Sequence, residues 1–222
     1  KASTSADAIY SFYNYNSTIA NNTYSDDDDL VETFDINMFI GNGNYTLYNY
    51  NPVEITDIPS KYDLRDFGYV TSVKNQGSNG NCWAFATMAT LESCILKALG
   101  DGLDLSESNL KNLFASYSDY GWKSETNTGA VASVGYNYLT SWLGPVLEED
   151  DPYVVGTLFS KLFNSIMHVQ NVVFLQRNNF TDNDDIKKAI MTYGAVFTTI
   201  LAKFDARGYQ YYQSSSVDHA IV

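Results

Sequence analysis

Cysteine is scarce in this chain: Cys82 and Cys94 are the only two, too few for a disulfide framework. If both lie on one helix, the twelve-residue spacing sets them about 18 Å apart, far beyond bridging distance. Cys94 has no motif around it and reads as a small core hydrophobe. Histidine is equally scarce, with His168 and His219 the only candidates for an imidazole base. No stretch approaches the eighteen or so consecutive apolar residues of a transmembrane helix, so no membrane insertion is expected. Basic residues are few: thirteen Lys and Arg face twenty-six Asp and Glu, a net charge of −13. That balance argues against nucleic acid, whose phosphates would be repelled, and against docking on anionic lipid.

The acids that are present crowd toward the start. Residues 1–57 carry nine acids and one Lys, whereas 58–222 carry seventeen acids and twelve bases. Residues 1–29, rich in Ser, Asn, Tyr and Asp and ending in Asp26-Asp27-Asp28-Asp29, read as a solvated linker. A run of adjacent acids lacks the spaced ligands and glycine of a calcium loop. Residues 31–50 alternate on either side of Gly41-Asn42-Gly43-Asn44 and predict a β-hairpin. No helix pattern follows those glycines, so they are not a dinucleotide fingerprint. Residues 1–57 as a whole are expected to be an upstream linker and hairpin, or a pro-segment. Sequons at Asn16, Asn21, Asn44 and Asn179 lean toward an exported protein.

Beyond residue 58 the patterns become regular. Helix formers run from Trp83 to Leu99, and Ser106 can cap a short helix through Phe114. Val131, Val134, Tyr138 and Trp142 share one face of a further helix. Glu148-Glu149-Asp150-Asp151 predicts a solvated turn into Pro152-Tyr153; lining a cleft, it would favour basic peptides. Residues 158–167 read as helical. Thr181 or Asp182 can cap another helix, a better account of that acid cluster than a metal site, and Gly194 ends it before a strand over Ala195–Leu201.

The chemistry concentrates in Gln76-Gly77-Ser78-Asn79-Gly80-Asn81-Cys82-Trp83-Ala84-Phe85. A cysteine that opens a helix meets exposed N–H groups and the positive end of the dipole, which favour a thiolate. Asn81 is a preferred capping residue, and Gly77 and Gly80 allow a sharp turn and close approach of a substrate backbone. Gln76 could donate its amide N–H to an oxyanion formed when the thiolate attacks a carbonyl. His219 lies 137 residues after Cys82, inside the ~130–150 spacing between thiol and imidazole in papain-type enzymes. His168, only 86 residues on, reads as a surface imidazole near a helix end. If 217–222 form a strand, Val217 shares the face of His219 and Asp218 points away.

These residues resemble the papain-like cysteine proteases, in a prokaryotic, surface-type form. The family pattern is Gln-Gly-x-Cys-Gly-Ser-Cys-Trp followed by Ala-Phe. The likeness extends through Ile58-Pro59-Ser60-Lys61-Tyr62-Asp63-Leu64-Arg65, Leu105-Ser106-Glu107, 144–153, Tyr193-Gly194-Ala195-Val196 and Val217-Asp218-His219-Ala220. Two departures stand out: Asn79 replaces a disulfide-forming Cys, and Asn81 replaces Ser.

The resemblance implies a two-domain α+β fold: a helical part over about 75–155 holding Cys82, a β-barrel-like part over about 156–222 holding His219, and a cleft between. It implies Cys82, His219 and Gln76 as catalytic and Gly129 as substrate-binding, with no metal or cofactor; Gly80, by its close backbone approach, Trp83, beside the thiol, and Val217, on the face of His219, are further expected substrate-binding residues. The family's catalytic Asn, in an Asn-Ser-Trp motif after the His strand, has no counterpart in 1–222, so the chain is expected to be a piece of a longer, extracellular or surface protein truncated just after the histidine. The implied partner is a peptide or protein substrate. Two other readings stay open: a non-catalytic surface adhesin on the same fold, and a Cys-dependent acyl transferase or cell-wall amidase.

Overall fold

The computed structural model describes residues 30–34, 40–41, 55–121, 125–176, 181–205, 208–212 and 219–222. The linker over 1–29, the return arm of the expected hairpin, the four sequon asparagines and Val217 lie outside them.

Helix α1 (Cys82–Leu99) is central: two further helices and two strands pack on it. Its Ala, Leu, Met and Ile residues favour helix, and it ends where Gly100 turns left-handed at φ 72° and donates to Leu96 O. By length and composition it could span a bilayer, yet eleven of its eighteen residues are buried inside the protein. Met88, Leu91, Cys94 and Ile95 are fully enclosed, so Cys94 is the core residue expected. Each of the larger three contributes about 1.5–3 kcal/mol by leaving water.

Around α1 lie α2 (Glu107–Leu113) and α3 (Ala132–Thr140). Ser106 caps α2 as expected, its Oγ accepting from Asn109 N at 3.0 Å. Every residue of α2 is buried, Lys111, Asn109 and Asn112 included. The segment 151–161 strapped across it supplies their partners. Asn109 Nδ2 donates to Asp151 Oδ2 (2.9 Å) and Lys161 O (3.1 Å), Lys111 Nζ to Thr157 O (2.6 Å), and Asn112 Nδ2 to Ser160 Oγ (3.0 Å).

That strap corrects one expectation. Residues 158–165 are not helical. Tyr117 Oη donates to Leu158 O and Asn109 to Lys161 O, so side chains take carbonyls that a helix would have bonded internally. Leu158, Phe159 and Leu162 are exposed instead of forming a buried stripe. The strap leads into β3 (Met167–His168), where His168 stacks on Trp142 at 4.4 Å rather than sitting at a helix end.

The strands follow two themes. β1 (Leu30–Phe34) pairs antiparallel with β4 (Val172–Gln176), Leu30 opposite Gln176 and Phe34 opposite Val172, and lies against α1. β2 (Ile40–Gly41) pairs with β3. The first arm of the expected hairpin therefore forms strands, but bonds across to the later part of the chain. α4 (Asp184–Thr192) starts after Asn183, a residue or two beyond the expected caps, with Asp184 and Asp185 at its positive end. The last sheet places β5 (Thr198–Asp205) between β6 (Gly208–Tyr212) and β7 (His219–Ile221). β7 also packs against α1, which brings the strand of His219 to the helix of Cys82.

Candidate active site

Turn geometry sets the approach to the thiol. Gly77 N donates to Asn75 Oδ1 at 2.9 Å, and Gly77 itself takes φ 66°. A Cβ there would stand 2.6 Å from Val155 Cγ2, so the strap presses directly on this turn. Gln76 Nε2 donates one of its two N–H groups to Asn79 O at 2.9 Å, fixing the amide. Asn79 Nδ2 donates to Asn127 Oδ1 at 2.9 Å, so a hydrogen bond joins two loops at a position where the family uses a cysteine.

Two assignments change in the structure. Asn81 occupies the N-cap position, and its carbonyl accepts from Ala84 N, but its side chain does not cap. Fully buried, it donates through Nδ2 to Thr126 O (2.8 Å) and accepts at Oδ1 from Tyr153 Oη (3.1 Å). Trp83 is 1 % exposed and belongs to the core, so its ring is not at a substrate surface; its Nε1 donates to Thr128 O at 3.1 Å. Gly80 serves the same loop: a Cβ would lie 2.9 Å from Gly129 N, and Gly80 N donates to Asn127 O. Gly129 is exposed, with nothing within 4 Å of where its Cβ would be.

Cys82, half-buried, stands at the first position of α1. Helix geometry leaves its N–H without an intrahelical acceptor. Ala220 N donates to its Sγ at 3.5 Å, which brings the strand carrying His219 to the sulfur. β7 is held there by its register with β5, His219 opposite Ile200 and Ala220 opposite Thr199. An open cavity of about 1100 Å³ is lined by Gln76, Cys82 and His219, with Phe85, Lys74 and Ala220 beside them. None of the acids 148–151 lines it. That run is only half solvated, because Glu148 Oε1 accepts from Tyr153 N and Asp151 Oδ2 from Asn109.

A charged cluster that the sequence did not reveal forms the floor behind the turn. Lys74 Nζ lies 2.8 Å from Glu92 Oε1, 2.6 Å from Asp104 Oδ1 and 3.0 Å from Glu107 Oε1. Glu92 also accepts from Thr71 Oγ1 and Leu105 N. Burial works against the Lys74 charge, but Glu107 and Glu92 outweigh it and hold the ammonium more firmly protonated than a free lysine. Glu107 goes the other way: burial pushes its carboxyl up from 4.5 to about 8, and Lys74 only partly offsets this. Its Oε2 and that of Glu148 are buried with no partner among the described residues.

The folded state holds the Glu107 proton up to about 8 while the unfolded chain releases it near 4.5. The stability from this site is thus complete below the lower value and lost as pH rises toward the upper one. The denaturation midpoint is expected to fall between about pH 5 and 7.5, and Glu107→Gln, which mimics the protonated acid, flattens that fall. A slope unchanged in the variant would remove Glu107 as its source. The window stops short of Lys111, whose ammonium burial lowers to about 8, giving the opposite slope above it.

With this geometry in view, the likenesses to known proteins are informative. The model of the papain family cysteine proteases matches residues 58–221. Ananain of Ananas comosus is 31% identical over 185 residues, covering 78% of this chain and 49% of its own. Mouse (Mus musculus) pro-cathepsin H is 35% identical over 144 residues, 62% of this chain and 40% of that one. Among solved structures, the cysteine protease and lectin-like domains of Cwp84, a surface layer associated protein of Clostridium difficile, align with TM-score 0.56 at 28% identity, covering 72% of this chain and 37% of that one. The bromelain protease of Ananas comosus, in complex with the E64 inhibitor, aligns with TM-score 0.54 at 26% identity, covering 73% and 74%. The chain spans about half the length of the first two curated relatives, ananain and fruit bromelain. Helix-borne cysteine, strand-borne histidine and a family match over 58–221 agree, and the chain belongs to the papain family of cysteine proteases, with its α+β fold.

Proposed function

We propose that the protein is a cysteine endopeptidase in which Cys82 is the nucleophile and His219 the acid and base. The observation that carries this reading is the meeting of α1 and β7: Ala220 N–H reaches Cys82 Sγ at 3.5 Å, and His219 and Gln76 line the same cavity. The Cys82 thiolate attacks a peptide carbonyl carbon, forming a C–S bond while the carbonyl electrons move to oxygen. The remaining N–H of the Gln76 amide and the Cys82 backbone N–H face that oxyanion. Collapse breaks the C–N bond as His219 gives its proton to the leaving amine. Water, deprotonated by His219, then hydrolyses the thioester and restores the thiolate. Gly129, with open space above its α-carbon, lies free to meet an extended substrate backbone. The likeness to Cwp84 and the sequon-rich acidic start support an exported protein, part of a larger surface assembly.

The test is selective labelling. A thiol-directed epoxide is expected to add once, at Cys82, and to spare Cys94, which is fully buried against Ala195 O. Peptide mapping by mass spectrometry reads the site. Equal modification of both cysteines would count against an activated thiol at 82. Products made with and without an added amine separate hydrolysis from acyl transfer.

A further inference from the structure

The hydroxyl of Tyr153 has a position that the reaction as described does not use. It lies 2.8 Å from Gln76 O and 3.1 Å from Asn81 Oδ1. One phenol thus bridges the residue whose amide faces the oxyanion and the residue immediately before the nucleophile.

Each side of that bridge is itself fixed. Asn81 is fully buried, and its Nδ2 is committed to Thr126 O, so its Oδ1 must face the phenol. Gln76 is pinned at its other end by Nε2 to Asn79 O. Tyr153 is anchored in turn: its N–H donates to Glu148 Oε1 at 2.7 Å, and its ring meets Phe85, in the first turn of α1, edge to face at 4.8 Å. Two residues on, Val155 presses on Gly77. The strap therefore grips the oxyanion turn and the helix start together. Without the hydroxyl, Gln76 O and Asn81 Oδ1 lose a shared donor, and the turn can shift relative to the helix by the fraction of an ångström that oxyanion donors do not tolerate.

We propose that Tyr153 is a positioning residue: its hydroxyl locks the Gln76 turn onto the N-terminus of α1 so that the Gln76 amide and the Cys82 N–H converge on one oxyanion. The proposal rests on the peptidase reading above, and it is separable from it.

The variant is Tyr153→Phe, which keeps the ring against Phe85 and removes only the oxygen. Hydrolysis of a peptide amide is expected to lose about tenfold or more in kcat with KM changed less than about twofold, since the interaction tightens only when the oxyanion forms. Alkylation of Cys82 by iodoacetamide, a displacement that builds no oxyanion, is expected to keep its rate within about twofold. In a Gln76→Ala background the same Phe substitution should add little, because the hydroxyl acts through a group already removed. An unchanged kcat, an equal loss in both backgrounds, or a parallel fall in alkylation each overturns the proposal. So does alkylation of Cys94 in the Phe variant, because the hydroxyl would then be holding the fold. Failure of the peptidase reading looks different: the parent protein itself would not hydrolyse peptide, or would do so with Cys82 blocked.

Discussion

Cys82→Ala is expected to abolish peptide hydrolysis, by about four orders of magnitude or more, while leaving the fold in place. On the proposed mechanism the loss is this large because a nucleophile is not one contributor among several: with the sulfur gone, no acyl-enzyme would form, and the imidazole and oxyanion donors would have nothing to act on. The structure explains why the fold should survive. Cys82 is only half-buried and opens onto the cavity, and its side chain accepts one long contact, from Ala220 N. Losing a sulfur acceptor at 3.5 Å is expected to change stability by no more than about 1 kcal/mol. Steady-state kinetics on a peptide beside urea unfolding reads both halves. Cys94→Ala is the internal contrast, because it leaves a gap in a fully enclosed site next to Leu91 and Ile95 and should lower the midpoint with kcat retained. If the alanine variant at 82 kept more than a small fraction of parent activity, the nucleophile would have to be sought elsewhere.

What could be read from the sequence is what local chemistry dictates. A long run of helix formers closed by Gly100 gave α1, and Ser106 three residues before Asn109 gave the cap of α2, because each depends on neighbours along the chain. The pairing of Cys82 with the strand of His219 was legible from spacing and family resemblance together. Side-chain direction was not. Asn81 sits where a cap belongs, yet Tyr153, 72 residues away, and the carbonyl of Thr126 take its amide instead. Alternation over 31–40 identified strands but not their partners, since period two specifies which face is buried and says nothing of which edge is free. The stretch 158–165 misled for a related reason: two of its carbonyls are claimed by Asn109 of α2 and by Tyr117, far away along the chain, and every residue of α2 is buried.

Lys74 is a residue whose loss should cost several kcal/mol in stability, and nothing in its sequence neighbourhood marks it. Lys74→Met keeps the apolar stem but removes the ammonium that serves Glu92, which is fully buried; Glu107, protonated up to about 8, loses a hydrogen-bond donor rather than a counter-charge. A buried carboxylate stripped of its cation is destabilised by about 3–5 kcal/mol, a large part of the roughly 5–15 kcal/mol that holds a typical domain together. The third partner weighs little: the Asp104 side chain is 63% exposed, and water replaces the lost contact. Lys61 supplies the control, since its pair with Asp66 has side chains 75% and 58% exposed, and Lys61→Met should shift stability by less than about 1 kcal/mol. Activity should fall with the Lys74 variant too, because the cation lies two residues before Gln76 and ties the turn through Glu92 to the middle of α1. Urea midpoints of the two variants, read beside the rate of epoxide addition at Cys82, decide the matter. Equal midpoints would mean that water reaches Glu92 in the absence of Lys74. A deep loss for Lys74→Met, partly recovered when Glu92 is replaced by Leu as well, would show that the penalty is the unpaired buried charge rather than the missing stem.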